Sequence, residues 1–320
     1  MLKNIMTIGG CGFIGTNFIN KAIKDYNILN IDNLSTVSNR SNIKNKKNYK
    51  FKKLDICNFK DLKYQIEKFK PEFIINFAAE THVDNSIKNS DRFIKTNILG
   101  VHNILKIIQN NKEIKLIQIS TDEVFGDIRS PKKFNLRSKY NPSSPYSASK
   151  AAGDHLIRSW IRTYNIKSII INCSNNYGPY QNYEKLIPKT IINCINKKKI
   201  PVYKRGLQIR DWIFVDDHVN AILKILKKGI IGKTYLIGGD NEEKNINIIR
   251  YICKYFSDNI DKNYNFQNLI KFTSDRPGHD FRYAVDSSFI KKQLNWKPKN
   301  LFYRSLIETI NWYLKNQKKH

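Results

Sequence analysis

Short apolar runs alternate with longer stretches of helical periodicity through the first half of the chain. Lys3 to Ile8, Ile28 to Ile31, Tyr49 to Lys53, Phe73 to Phe77, Leu116 to Ile119 and Ser168 to Cys173 have strand length, and most are near-continuously apolar, as strands buried on both faces are. Between them, stretches from about Phe13 to Lys24, Phe59 to Phe69, Ser90 to Asn111 and Pro145 to Tyr164 repeat apolar positions at helical spacing. This alternation predicts an α/β fold, a doubly wound parallel sheet. Beyond Gly178 the pattern breaks up, with Pro179, Pro188 and Pro201 punctuating short segments, and a smaller substrate lobe is expected there. Tyr235 to Ile237 regains strand character before Gly238-Gly239, and Phe302 to Leu314 closes with helical periodicity. The expected division is 1–177 and 178–320, with a segment near 211–240 returning to the first lobe, so the two lobes interleave.

The first strand runs straight into Gly9-Gly10-Cys11-Gly12-Phe13-Ile14-Gly15, with Gly9, Gly12 and Gly15 spaced G-x-x-G-x-x-G. Glycine permits a tight strand-to-helix turn and lets backbone N–H groups approach a pyrophosphate, which the positive end of the following helix attracts. The second strand ends in Asp32, where a carboxylate would receive ribose hydroxyls. A strand, glycine turn, helix and acid-ended strand together predict a Rossmann-type dinucleotide site. Asp32 would repel a 2'-phosphate, so NAD is expected over NADP.

Thr121-Asp122-Glu123 follows the fifth apolar run, at the carboxyl edge where open parallel sheets bind their ligands. Alone, Ser120-Thr121-Asp122-Glu123 reads as a helix start with a hydroxyl cap and acids favoured by the helix dipole. Tyr146 and Lys150 lie four apart in a helical stretch, hence on one face, where an ammonium would favour the phenolate and draw Tyr146 toward neutrality as a base. Pro145 suits the first turn of that helix. An acid pair beside a hydride-transfer apparatus implies oxidation and elimination in one pocket.

The formal charge is +29 over 320 residues, which would ordinarily suggest a polyanion partner. The lysines are dispersed among abundant Asn and Ile, all encoded by AT-rich codons, so no nucleic-acid partner is expected. Five cysteines (Cys11, Cys57, Cys173, Cys194, Cys253) lack a C-x-x-C pair, and the histidines lack H-E-x-x-H spacing, so neither disulfides nor a metal site are expected. With no apolar stretch of membrane-span length and no signal-peptide pattern, a soluble cytoplasmic protein is expected.

With these motifs in place the chain resembles the dTDP-glucose 4,6-dehydratases, extended members of the short-chain dehydrogenase/reductase family. The resemblance runs nearly end to end through GGCGFIG, FAAETHVDNS, STDEVFGD, NPSSPYSASKAAGDHL, CSNNYGPYQNYEKLIP, GLQIRDWIFVDDH, YLIGG, DRPGHDFRY and WYLKN. It implies Thr121, Asp122, Glu123, Tyr146 and Lys150 as catalytic residues. Around NAD it places Phe13, Ile14, Asn33, Leu34 and Ser35, with Asp55 and Ile56 at the adenine. Phe77, Ala78, Ala79, Thr81, Thr96 and Asn176 complete the cofactor contacts, together with Tyr146 and Lys150. Thr81, Thr121 and Asn175 would hold the sugar, and Lys185, Leu186, Pro201, Tyr203, Arg210, Asn245, Arg276 and His279 the nucleotide and diphosphate. The substrate implied is dTDP-glucose, with UDP-glucose as the alternative, and the assembly a homodimer through the stretches 90–111 and 145–164. A nucleotide-sugar 4-epimerase or decarboxylase would share Tyr146, Lys150 and NAD, but an epimerase has no use for the Asp122–Glu123 pair. A non-catalytic nucleic-acid-binding protein would need a basic stripe where the sequence shows scatter. Lys204 stands where the family usually has Gly, and the region around Leu136 lacks its usual acid.

Overall fold

The computed structural model describes residues 2–44, 46–129 and 131–316. The chain begins with β1 (Lys3–Ile8), α1 (Phe13–Ala22), β2 (Tyr26–Asp32), β3 (Tyr49–Lys53), α2 (Phe59–Phe69) and β4 (Phe73–Asn76). Next come α3 (Val83–Lys88), α4 (Asp91–Ile94), α5 (Val101–Gln109), β5 (Lys115–Thr121), α6 (Pro145–Tyr164) and β6 (Lys167–Cys173). The second half adds β7 (Asn175–Tyr177), α7 (Leu186–Ile195), β8 (Ile200–Tyr203), β9 (Ile209–Phe214), α8 (Val215–Lys228) and β10 (Thr234–Ile237). It ends with β11 (Glu242–Lys244), α9 (Asn245–Asn259), β12 (Ile270–Thr273), α10 (Ser288–Leu294) and α11 (Phe302–Lys315).

Seven parallel strands form one sheet in the order β10-β6-β5-β4-β1-β2-β3. The winding reverses between β1 and β4, and the crevice at their carboxyl ends is where such sheets take ligands. Successive residues of each strand point to opposite faces, and helices cover both, so both registers are apolar. Ile5, Ile28, Ile75, Ile117 and Ile171 pack with Phe18 of α1 and Val219 of α8. Met6, Leu29, Ile74, Leu116 and Ile170 pack on the other side with Ile66 of α2, Ile104 of α5 and Ile157 of α6. Each such side chain contributes roughly 1.5–3 kcal/mol on burial.

A second core forms where the sequence pattern is irregular: Ile187 and Ile191 of α7 meet Ile249 and Ile252 of α9 and Leu306 and Ile310 of α11. Two small sheets, β11-β9-β7 and β12-β8, edge this lobe. Pro188 does not interrupt α7, because it sits in the first turn, where its missing N–H has no helical partner to lose. Segments of the second half return to the large sheet, β10 by pairing with β6, and α8 and α10 by packing against it.

One further departure lies in the stretch 90–111. In place of an uninterrupted α-helix, Lys95–Gly100 is π-helical between α4 and α5. There Asn97 accepts from the Glu80 N–H (3.0 Å) and donates to the Glu80 carbonyl (3.0 Å) and the Ser149 hydroxyl (2.8 Å). The bulge thus ties the loop after β4 to α6.

Candidate active site

The glycine turn is built by close approach. Gly9 has φ +76, and a side-chain carbon there would lie 2.4 Å from the Ala78 backbone nitrogen. At Gly12 the nearest such contact is 3.4 Å, so a side chain would instead project into the cavity that Gly12 lines. Gly12 also begins α1 without a side-chain cap, leaving first-turn N–H groups facing that space. Asp32 is buried, with Oδ2 accepting from the Cys11 N–H (2.9 Å) and Oδ1 from the Leu34 N–H (2.8 Å). Each oxygen keeps a lone pair for a ribose hydroxyl. Asp32, Asn33 and Ser35 line one side pocket of ≈ 70 Å³, opposite Ile56, Ala78 and Thr96. Leu34 and Asp55 stand behind its wall: Leu34 through its N–H to Asp32, Asp55 by accepting from the Asn33 amide (3.2 Å) and the Cys57 N–H (2.7 Å). An open glycine cradle at an uncapped helix start, beside a buried carboxylate, fits a dinucleotide.

A cavity of ≈ 250 Å³ continues from this turn, past Phe13, Ile14, Gly15, Phe77 and Ala79, to the ends of β5 and β6. Thr121, Asp122, Glu123, Tyr146 and Lys150 meet there, with Thr81, Asn175, Asn176 and Lys185 opposite. Thr121 ends β5 and caps a short 3-10 turn, Asp122–Phe125, by accepting from the Glu123 N–H (3.2 Å). The capping reading of this motif therefore holds, and the same three residues line the cavity beside Tyr146 and Lys150. α6 starts at Ser144 with a reciprocal Ser144–Ser147 capping box and Pro145 in its first turn, which sets Tyr146 rigidly.

The two adjacent carboxyl groups differ in environment. Asp122 is 1% exposed; its Oδ1 accepts from Thr121 (3.3 Å), and its Oδ2 has no hydrogen-bond partner among the described residues. Burial, then the Glu123 and Asp211 charges, push it well above the carboxylate range, which favours the protonated acid. Glu123 is also pushed up by burial, but the Arg276, Arg210 and Lys185 cations oppose the rise. Both carboxyls are pushed toward the neutral form, Asp122 with two like charges adding to the rise and Glu123 with three cations opposing it.

Tyr146 differs from the expectation for it. Lys150 donates to the Ile119 carbonyl at 2.8 Å, and burial with the Glu123 charge pushes the phenol well up; the Thr121 hydroxyl works the other way. In a buried site desolvation outweighs a neighbouring ammonium.

A second cavity, ≈ 230 Å³, opens outward between the lobes. Thr81, Asn175, Lys185 and Leu186 lie on its inner side, and Pro201, Tyr203, Asn245, Arg276 and His279 on its outer side. Arg210 is fixed behind it by the carbonyls of Ile209 (2.8 Å), Asp280 (2.9 Å) and Phe281 (3.1 Å), leaving part of its fork for a ligand. His279 Nδ1 is bonded to Asp275 at 2.6 Å, its ring edge-on to Tyr203. Lys204 takes φ 38, a left-handed conformation that accounts for the usual glycine.

Two groups around the site, Asp84 and His218, carried no expectation. Asp84, inside the THVDNS motif, reaches across the cleft: its Oδ1 accepts from Arg276 Nη1 (3.2 Å) and its Oδ2 from the Tyr203 hydroxyl (3.0 Å). The buried Arg276 Nε stays unpartnered among the described residues, as does Oδ1 of Asn245. His218, fully buried, bonds Asn176 Oδ1 at 2.8 Å, and burial pushes it down to about 3. The charged Asp84 on an otherwise uncharged helix start was a visible signal; the His218–Asn176 pairing, 42 residues apart, was not.

The sequence profile of the GDP-mannose 4,6 dehydratase family matches residues 6–309. A dTDP-glucose 4,6-dehydratase of Escherichia coli is 42% identical, the alignment covering 98% of this chain and 94% of the relative. The chain belongs to the dTDP-glucose 4,6-dehydratase family. Among solved structures, the Bacillus anthracis dTDP-glucose 4,6-dehydratase in complex with NAD superposes with a TM-score of 0.90 at 38% identity, covering 99% of this chain and 98% of that one. The Streptomyces venezuelae dTDP-glucose 4,6-dehydratase, also solved with NAD, gives 0.92 at 32% identity, with coverages of 99% and 98%. This family membership and the placement of Asp122 and Glu123 beside Tyr146 and Lys150 point the same way.

Proposed function

We propose that this chain is an NAD-dependent hydro-lyase that converts dTDP-glucose to dTDP-4-keto-6-deoxyglucose. The observation that carries the reading is the placement of Asp122 and Glu123 in the same cavity as Tyr146 and Lys150, with different charges around each. Gly9, Gly12 and the start of α1 hold the cofactor diphosphate, and Asp32 its ribose. Bound NAD supplies a positively charged ring and the site that accepts hydride from C4 and returns it to C6. Tyr146 takes the C4 hydroxyl proton while Thr121 hydrogen-bonds the C4 oxygen. The C4 ketone acidifies C5; Glu123 removes the C5 proton, and Asp122 protonates the departing C6 hydroxyl, which leaves as water. Glu123 then returns a proton to C5.

The outer cavity takes the nucleotide: Arg276, Arg210 and Lys185 face the diphosphate, and Tyr203 offers a ring to the base. The working units are 1–177 for the cofactor and 178–320 for the nucleotide sugar, with the 211–240 segment returning to the first. No helix among the described residues is long and apolar enough to cross a membrane. The proposed setting is the cytoplasm and the proposed assembly a homodimer, through the helical stretches 90–111 and 145–164. Exposed Ile94 and Leu99 in the first of these support that face.

Incubation with dTDP-glucose in heavy water tests the reading. The expected product has lost one water and carries deuterium at C5. A parallel incubation with UDP-glucose compares the two bases, whose single methyl difference is worth ~1 to 3 kcal/mol in an apolar pocket. A C4-inverted sugar without water loss would overturn the dehydratase reading in favour of an epimerase.

A further inference from the structure

Tyr146, Lys150 and Asp154 occupy successive turns of α6, at spacings of four, and so lie along one face of the helix. All three are buried. Lys150 donates to the Ile119 carbonyl, a dipole and not a charge. A buried ammonium with only dipoles around it sheds its proton, and a neutral lysine does nothing for the Tyr146 phenolate.

Asp154 is completely buried, and the reaction as described does not use it. Three donors converge on its Oδ2: the Ser120 hydroxyl at 2.8 Å, the Tyr140 hydroxyl at 2.9 Å and the Asn172 amide at 3.2 Å. Arg158 donates to the Tyr140 oxygen at 2.8 Å and lies 4.4 Å over its ring, which leaves the Tyr140 proton for Asp154 at 2.9 Å or the more distant Asn172 Oδ1 at 3.3 Å. Burial pushes the Asp154 carboxyl up, and the Lys150 charge and the three donors gathered on one oxygen oppose that rise in favour of the ionised carboxylate. Its Oδ1 has no hydrogen-bond partner among the described residues. Asn172 also donates to the Thr121 carbonyl at 3.0 Å, linking this carboxylate to the strand end that carries Thr121.

We propose that Asp154 is a positioning residue for the oxidation step, whose carboxylate keeps Lys150 an ammonium ion one turn from Tyr146. The proposal rests on the assignment of Tyr146 and Lys150 to C4 oxidation. The groups facing this pair are accounted for. Lys150 meets Asp154 from its own helix and Cys173 from β6, whose thiol burial pushes up to about 12 and so keeps neutral. Asp154 meets Lys150 and, through Tyr140, Arg158, while His155 packs against the Tyr140 ring. Asp122 and Glu123 face Tyr146 from the turn after β5. Burial drives Lys150 down, and the first opposing influence is Asp154.

The test is rapid-mixing formation of NADH from dTDP-glucose across about pH 6 to about pH 10, spanning the reference Tyr and Lys values perturbed by burial. Wild type, Asp154→Asn and Asp154→Glu are compared. In Asp154→Asn the alkaline limb of the rate profile is expected to move down by ~1 pH unit or more, with KM within about 2-fold of wild type. Asp154→Glu should restore the limb. A profile that superimposes on wild type, or a loss equal at every pH, overturns the proposal. Absence of NADH in wild type itself defeats the functional reading instead. Melting temperatures keep the proposal testable in that event and if Asp154→Asn alone does not fold. Lys150→Met strands the Asp154 charge, so Lys150→Met with Asp154→Asn should melt higher than Lys150→Met alone, and an equal or lower melting temperature overturns the pairing.

Discussion

The inner and outer ends of this site treat Asp122 and Asp84 in opposite ways. At the ends of β5 and β6, burial pushes Asp122, Glu123 and Tyr146 up and Lys150 down, each toward its neutral form. At the mouth between the lobes the carboxylates are held charged. Burial works against it, yet Arg276 and the Tyr203 hydroxyl keep Asp84 below the usual carboxylate range, as His279 does for Asp275. A group that must give or take a proton during turnover needs its two forms close in free energy, and desolvation achieves that. A group that must hold a diphosphate needs a fixed charge and fixed geometry, and ion pairing achieves that. The contrast is one between carboxylates, since burial also pushes Lys185 and His279 of the outer cavity toward their neutral forms.

The comparison is most severely strained by Tyr146→Phe, which removes one hydroxyl from the inner cavity and leaves the ring packed against Phe93. Turnover is expected to fall ~100-fold to ~10,000-fold with little change in KM, read by steady-state kinetics on dTDP-glucose. Near-normal turnover would mean that the burial of this phenol serves no proton transfer.

Separating the two carboxyl groups sharpens it. Glu123→Gln and Asp122→Asn leave Tyr146 and Lys150 in place, so NADH and a 4-keto sugar should form while water loss slows by about 100-fold. Exchange of the C5 hydrogen should be slowed most in Glu123→Gln. Rapid-mixing absorbance with mass spectrometry of the quenched sugar reads both steps. Loss of NADH formation with intact binding would move these acids into the oxidation.

Asp84→Asn asks whether the outer cavity is concerned with binding alone. The variant frees the Arg276 fork and the Tyr203 hydroxyl from a fixed charge, so KM for the nucleotide sugar should rise about 10-fold while kcat stays within about 2-fold. A fall in kcat at constant KM would erase the distinction between the cavities.

The smallest effect concerns a buried group outside both reactions. His218 is pushed down to about 3, so between the unfolded value near ~6.5 and that point the unfolded chain binds a proton that the folded one refuses. Its stabilising contribution is complete above ~6.5 and is lost as pH falls, by about 1.4 kcal/mol for each pH unit. In His218→Gln the melting temperature should decline less steeply between about pH 7 and about pH 5 than in wild type. An unchanged slope would mean that His218 takes up its proton without disturbing the fold.

Legibility in the sequence followed the range of the interactions. β3, α2 and α6 were readable to the residue: β3, an edge strand, shows the alternation of Tyr49 and Phe51 with lysines, and amphipathic helices declare themselves within one window. So did the glycine turn and Thr121-Asp122-Glu123, whose roles depend on standing directly after a strand. α7 and α9 were hidden by Pro188 and by runs of β-branched Ile, and only their mutual packing with α11 stabilises them as helices. The π-helical stretch was equally invisible, since it exists to let Asn97 reach Glu80 and Ser149.

The amino-acid sequence by itself determined the alternating sheet, the dinucleotide turn and which side chains could exchange protons, because these rest on local periodicity and residue chemistry. Tertiary structure alone decided the charge that those side chains carry. Asp122 and Glu123 are both raised by burial, with Arg210 opposing the rise at each and Arg276 at Glu123; Lys150 is lowered by burial against the Asp154 charge; and Asp84 finds Arg276 at a separation of 192 residues. Desolvation and Coulomb interactions depend on the folded surroundings of a group, which no window of sequence contains.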